Sequence, residues 1–377
     1  MSRTRADDAC PGALQVHRAA DGALARVRLP GGMITAAQLA ALAAAALRFG
    51  SPSMELTSRG NLQIRAVSDP SALADAIAAA GLLPSPSHER VRNVLASPLT
   101  GRVGGVADLR GTVRALDAAI QADAHLAELP GRFVFALDDG RGDVSGLGAD
   151  VGAHLLSPTE AALLLGGVDT GVRMAVDEVV AVLTTVARRF VAVREKQWRI
   201  GELDDPDVVL DGFDRVAPAG ATWPPVEVPP VGWLPQDDGA VTLGAGARLG
   251  VLDARTAEFL AAVEAPLVIT PWRSVLVCDL DEGVADVALR VLAPRGLVFD
   301  AESPWLRVSS CTGSPGCDRS LTDVRRDAAD AADPSATDPA ATGAQVHRHF
   351  VGCDRACGSP ANGEVLIATG DGYRLRG

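Results

Sequence analysis

The chain has 377 residues, 47% of them hydrophobic, and a formal net charge of -12. Length and composition together call for a globular protein of two or more domains with real cores. The acidic balance argues against nucleic acid or an anionic membrane as partner, while an anionic small molecule stays open if arginines converge locally against the global sign. No apolar leader follows the charges that begin at Arg3, and the Ala-rich run Leu39 to Leu47 is far too short to span a bilayer, so a cytoplasmic protein is expected.

In chain order, Leu24 to Leu29 alternates as a half-buried strand, and a Gly31-Gly32 turn leads to Thr35, an N-cap for an Ala/Leu helix to about Phe49. Met54 to Thr57 and Leu62 to Val67 read as strands around a tight Ser58-Arg59-Gly60-Asn61 turn, and Ser71 to Ala80 as a helix stopped at Gly81. Next come the segment Arg90 to Pro98, a helix from about Asp108 to Ala124, a strand Arg132 to Leu137, and helices near Pro158 to Leu165 and Ala175 to Val193. The stretch 201–239 is dense in proline and glycine and reads as a linker.

The first pattern then returns. Arg248 to Leu252 is strand-like, Asp253 caps a helix to about Val263, and Leu267 to Thr270 and Val275 to Cys278 flank a Pro271-Trp272-Arg273-Ser274 turn before a helix from Glu282 to Leu292. Leu56-Thr57 lies over Ile269-Thr270 and Leu62 to Ile64 over Val275 to Val277, which is an internal duplication of a ferredoxin-like α+β half. Cys278, inside an apolar run, reads as a buried core thiol.

Cys311-Thr-Gly-Ser-Pro-Gly-Cys317 and Cys353-Asp-Arg-Ala-Cys357 stand 35 residues apart. Four thiolates in Gly/Pro-rich loops suit a soft metal centre, and one 4Fe-4S cluster uses four. A zinc site spaces each pair by about two to four residues, so the six-residue step from Cys311 to Cys317 is wide for it; a disulfide is the blander alternative. Asp327 to Gly343, between the pairs, is Ala/Asp/Pro/Thr-rich and reads as a helix end and a loop, and strands follow at Val346 to Val351 and Glu364 to Ala368.

Thr57-Ser-Arg-Gly-Asn-Leu-Gln-Ile-Arg65, Arg92-Asn93-Val94 and the two cysteine pairs resemble the nitrite and sulfite reductases, built from a doubled ferredoxin-like half and an iron-sulfur/sirohaem half. Within that superfamily the chain resembles the precorrin-3B synthases, at Ala9-Cys10-Pro11-Gly12, Ser58 to Arg65, Cys311 to Cys317 and His349-Phe-Val-Gly-Cys353. The resemblance implies an α+β fold of duplicated ferredoxin-like halves, each followed by a reductase-type α+β domain, about a pseudo-two-fold. It divides the chain into 1–88, 89–200, the linker 201–239, 240–300 and a cluster domain 301–377. It further implies a 4Fe-4S cluster on Cys311, Cys317, Cys353 and Cys357, with sirohaem or a separate non-haem iron as an additional centre. The implied reaction is oxygen-dependent hydroxylation of precorrin-3A with lactone closure, with NAD(P)H electrons arriving through a donor protein. Sirohaem-dependent reduction of nitrite or sulfite is the alternative.

Two departures bear on that choice. Where the reductases carry a lysine pair, Leu129-Pro-Gly-Arg-Phe-Val134 offers Arg132 and then Val134, which removes one proton-delivering cation; Arg355 stands where the synthases usually have lysine. The arginines also point to a carboxylated macrocycle by their own chemistry, since guanidinium forks bind carboxylates in a bidentate way. Arg59, Arg65, Arg92 and Arg132 are expected to line one cleft, with Asn61 and Gln63 as polar contacts. His347 and His349 alternate beside Cys353 and read as structural histidines or as ligands of a further iron. No residue is singled out for catalysis, and Gly101-Arg-Val-Gly104-Gly105 lacks the strand-then-helix context of a dinucleotide loop.

Overall fold

The computed structural model describes residues 9–226, 229–333, 346–360 and 362–376. The ten residues 334–343 of the expected loop between the cysteine pairs lie outside them. The first unit runs β1 (His17–Ala19), β2 (Gly22–Val27), β3 (Met33–Ile34), α1 (Ala36–Phe49), β4 (Ser53–Leu56), β5 (Leu62–Val67) and α2 (Pro70–Ala79). Thr35 and Gln38 close a capping box at the start of α1: Thr35 Oγ1 accepts from the Gln38 N–H while Gln38 Oε1 accepts from the Thr35 N–H. Leu39, Leu42, Ala43 and Ala46 then share one face of the helix and are buried.

The second unit runs β6 (Val94–Ala96), α3 (Arg110–Ala122), β7 (Phe135–Asp138), β8 (Val151–Leu155), β9 (Glu160–Leu165), β10 (Val168–Ala175) and α4 (Val179–Val193). The third has β11 (Gly232–Pro235), β12 (Val241–Ala247), β13 (Val251–Asp253), α5 (Ala254–Ala261), β14 (Leu267–Ile269), β15 (Ser274–Leu280), α6 (Glu282–Leu292) and β16 (Leu297–Val298). The fourth has β17 (Val308–Ser310), α7 (Val324–Ala332), β18 (Arg348–Val351), β19 (Glu364–Thr369) and β20 (Gly372–Leu375).

The two ferredoxin-like halves exchange a strand. β3 of the first pairs with β14 of the second, and β13 of the second pairs with β4 of the first, so the sheets read β1-β2-β5-β4-β13 and β11-β12-β15-β14-β3. Apolar side chains of both halves merge into one core, with Leu39, Leu62 and Ile64 in the same buried cluster as Leu252, Leu260 and Val275. The crossing is tight at Gly32, whose φ of 69° and whose missing Cβ, which would sit 1.9 Å from the Ile269 carbonyl oxygen, both require glycine. The second and fourth units repeat one another as well: β6, β7 and β8 are parallel with β9 antiparallel, and β17, β18 and β19 are parallel with β20 antiparallel.

One expectation fails here. The helix expected near Pro158 to Leu165 is the strand β9, paired on both sides to β8 and β10. Its Ala161 to Leu164 are all buried, so the period-two signature of a strand is absent from the sequence. Within 201–239, Val209 and Leu210 are buried in the core of the second unit, and β11 forms the edge of the sheet on β12. No helix among the described residues is long and apolar enough to cross a membrane.

A half-buried ion pair ties the second unit to the third: Arg102 Nε and Nη2 donate to the two carboxylate oxygens of Asp279 at 2.7 and 2.9 Å. The Arg102 side chain is 5% exposed and that of Asp279 36%. Asp279→Asn strands a buried cation, whereas Arg102→Met leaves a carboxylate that water reaches. Urea denaturation is expected to show a loss of about 2–4 kcal/mol for Asp279→Asn and a smaller one for Arg102→Met.

Candidate active site

The two cysteine pairs sit on loops leaving the same ends of the adjacent parallel strands β17 and β18. The Cys311 N–H donates to the Phe350 carbonyl at 2.9 Å, and the Gly352 N–H approaches Cys311 Sγ at 3.4 Å. A further backbone bond, from Leu321 N–H to the Gly352 carbonyl at 3.0 Å, holds the first loop against the second. Burial, then the neighbouring Cys311 and Cys353 and more weakly Cys317, push the Cys357 thiol above its ordinary pKa, with Arg355 opposing. The four thiols therefore share one neighbourhood. Four thiolates on neighbouring loops are donors that suit a soft metal centre.

Beside this loop lies a cavity of about 390 Å³ to which all the units contribute. Two equivalent turns form one wall: Ser58 and Arg59 from the first half, Pro271, Trp272 and Arg273 from the second. Their hydrogen bonding is the same. Thr57 Oγ1 accepts from the Asn61 N–H at 3.1 Å and Thr270 Oγ1 from the Ser274 N–H at 3.3 Å, while Gly60 N–H donates to the Thr57 carbonyl and Arg273 N–H to that of Thr270, both at 3.1 Å. The lining also includes Val134, Arg199, Ser309, His347 and Gly358, the last adjoining Cys357.

Three arginines thus meet in the cavity. Arg59 donates through Nη1 to the Gly131 carbonyl at 3.1 Å, and burial drives its pKa down to about 10. Burial likewise lowers that of Arg273. Arg199 is paired, with Nε 2.7 Å from Asp150. Behind the cavity wall Arg28, 2% exposed, is also held down to about 9 by burial, with Arg26 and Arg59 adding to the shift. Its Nη2 lies 3.6 Å from Cys10 Sγ, and Arg26 Nη1 lies 3.1 Å from the same sulfur.

Of the arginines expected in one cleft, Arg59 alone lines this cavity. Arg92 turns away into a separate groove, where its Nε and Nη2 grip both oxygens of Asp117 on α3 at 2.6 and 2.8 Å; the charge-assisted bidentate pair outcompetes the cavity. Arg65 is bidentate to Asp21 at 2.8 Å and also donates to Thr312 Oγ1 and the Gly316 carbonyl, so it anchors the cysteine loop instead. Arg132 is exposed and stacks over Trp198. Asn61 is buried, accepting from the Leu29 N–H and donating to Asn93 Oδ1, while Gln63 bridges Arg26 and Glu55. Sequence reasoning missed Arg273, although the duplication had already set its turn over that of Arg59. Arg199 carried no local signal. His349 is fully buried, and burial depresses its pKa to about 4.

Residues 16–79 match the family described as the nitrite/sulfite reductase ferredoxin-like half domain. The fold is similar to that of the Mycobacterium tuberculosis NirA protein, with a TM-score of 0.75 over 94% of this chain and 74% of that one at 19% identity. The chain thus carries a nitrite/sulfite reductase ferredoxin-like half domain at residues 16–79 and is an oxidoreductase. In sequence it is similar to a precorrin-3B synthase of Sinorhizobium sp., 27% identical across 97% of this chain and 82% of the relative. It is also similar to a ferredoxin-nitrite reductase of Synechococcus elongatus, 34% identical across 31% of this chain and 25% of that protein.

Two outcomes follow from this geometry. Arg65→Ala unties the Thr312 to Gly316 loop, and iron and sulfide analysis after reconstitution should find the content reduced by roughly half or more, with Arg92→Ala unchanged; each lost charged hydrogen bond costs about 1.5–3 kcal/mol. His349 has a folded pKa below its unfolded value, so the unfolded chain takes up the proton first. Folding stability should therefore fall as pH drops from 6.5 toward about 4, and urea midpoints of His349→Gln should lack that component.

Proposed function

We propose that this protein is a monooxygenase of the precorrin-3B synthase type, hydroxylating a meso position of precorrin-3A with dioxygen and closing a lactone with a ring acetate. The observation that carries this reading is the cavity in which Arg59, Arg199 and Arg273 converge next to the Cys357-Gly358 loop. A precorrin is a macrocycle rimmed by acetate and propionate groups, and guanidinium forks recognise carboxylates with fixed geometry. The chain is acidic overall, so only such a local concentration of cations draws a polyanion in.

Cys311, Cys317, Cys353 and Cys357 would hold a 4Fe-4S cluster, which supplies electrons when bound. Those electrons start from NAD(P)H and arrive through a separate donor protein, in the cytoplasm. Sirohaem or a separate iron is a further candidate occupant of the cavity, where His347 offers an imidazole. The chain's own residues do the binding and positioning. Arg59 and Arg273, on equivalent turns, grip carboxylates from one wall, and Trp272 supplies an apolar surface for the ring. Val134 lines the cavity and is 3% exposed, where a reductase would place a proton-delivering lysine. That substitution favours oxygen insertion over six-electron reduction of nitrite or sulfite.

Anaerobically reconstituted protein given precorrin-3A, oxygen and a reductant should yield a product heavier by one oxygen, read by mass spectrometry. An unchanged substrate mass would sink the proposal. Arg59→Ala should weaken tetrapyrrole binding by about 1.5–3 kcal/mol, the range for a hydrogen bond to a charged group, at unaltered iron content.

A further inference from the structure

The charged side chains that touch the two cysteine loops differ in burial. Asp318, Arg319, Asp354 and Arg355, within or next to the loops themselves, are exposed, and Asp354 is paired with Arg374, so water and salt screen them. Arg65 is different. It reaches the first loop from β5, donating through Nη2 to the Gly316 carbonyl at 2.8 Å and through Nη1 to Thr312 Oγ1 at 3.3 Å, next to Cys317 and Cys311 in the chain. Its side chain is 11% exposed, so water screens its charge less.

That cation has a counter-charge. Asp21 accepts from Nε and Nη2 in a bidentate pair at 2.8 Å each, and a Cβ on Gly316 would lie 3.2 Å from Asp21 Oδ2, so the carboxylate backs the same loop. Glu55 Oε1 is farther from Arg65, at 3.9 Å, and is engaged by Arg325. Asp323 and Arg326, on the same side of the loop, are exposed. At the second loop Arg273 Nη2 would lie 3.3 Å from a Cβ on Gly358, but Arg273 lines the cavity, where a bound polyanion would compensate it. Neither Arg65 nor Asp21 lines that cavity.

We infer that Arg65 and Asp21 tune the reduction potential of the centre on the cysteine loops, Arg65 raising it and Asp21 holding that rise in check. The inference rests on the proposed reading of the four cysteines as ligands of an iron-sulfur cluster. In the step, one electron passes from the reductant to the centre, no bond forms or breaks, and one negative charge is added. A cation fixed against the loop stabilises the added charge, and a neighbouring carboxylate opposes it. Both residues stand outside the cavity, so their effect is on the electron and not on the ligand.

The test is a mediated redox titration of the reconstituted holoprotein, with dithionite as reductant and the reduced centre read by electron paramagnetic resonance. Asp21→Asn removes the carboxylate's charge and leaves Arg65 its bonds to Thr312 and Gly316, so the midpoint should move positive. At a fixed potential near the wild-type midpoint, the ratio of reduced to oxidised centre should rise by about 2- to 5-fold, the worth of a partly screened charge. Arg65→Met should lower that ratio by a similar factor in the fraction that holds iron, and Arg65→Lys, which keeps the charge, should bring it back toward the wild type. If Arg65→Met takes up no iron, Asp21→Asn decides. A purely structural role changes iron content without moving the midpoints in opposite directions. An unmoved midpoint in Asp21→Asn, or shifts of the same sign in Asp21→Asn and Arg65→Met, overturns the inference. A chain that loads zinc and no iron refutes the cluster reading itself, and the inference falls with it.

Discussion

The reciprocal loan of one short strand between the ferredoxin-like halves is the constraint on which the site depends. Because β3 completes the sheet of the second half and β13 that of the first, neither half can tilt without breaking a ladder in the other. The turns Thr57 to Asn61 and Thr270 to Ser274 are thereby held side by side, with a Cβ on Gly60 only 2.8 Å from the Ile269 carbonyl oxygen. A cavity wall made from backbone this tightly crossed is rigid, and its arginines are aimed before any ligand arrives. Preorganisation of that kind removes the ordering cost of binding.

Charge is distributed with the same economy. Several arginines meet carboxylates: Arg102 with Asp279 between the second and third units, Arg92 with Asp117 within the second, and Arg65 with Asp21 within the first. Arginines paired in this way are unavailable to a ligand. At the cavity wall Arg59 donates to the Gly131 carbonyl, a neutral partner. Burial then lowers the pKa of Arg28, Arg59 and Arg273, the signature of cations kept where solvent does not repay them. A bound polyanion would relieve that cost, which is a physical reason for the acidic chain to bind one there.

Much of the fold could be read from the chain because its signals are local. The Thr35 cap, the Gly31-Gly32 turn, the six residues of β5 and the eleven of α6 all lie where periodicity and capping place them. The duplication was legible too, since two turns flanked by matched strands recur at constant offset. β9 was not legible, because a strand buried on both faces loses its alternation and looks like a helix. The cysteines read as soft-metal ligands by type and spacing, and the fold sets both pairs on loops beyond the adjacent strands β17 and β18. Of the arginines, Arg59 reaches the cavity, while Arg65 and Arg92 are captured by carboxylates distant in sequence.

The sequence by itself determined the secondary structure of the doubled half, the repeat and the thiol-rich loops, since each depends on residues within one or two turns of one another. Tertiary structure decided which half lends which strand, that Arg273 stands with Arg59, and that Asp117 and Asp21 claim Arg92 and Arg65. Those outcomes turn on pairings between residues tens to hundreds of positions apart, such as Arg65 with Gly316 and Arg102 with Asp279. Local propensity is blind to them, because a guanidinium has the same reach toward any carboxylate until the packed core fixes which one is near.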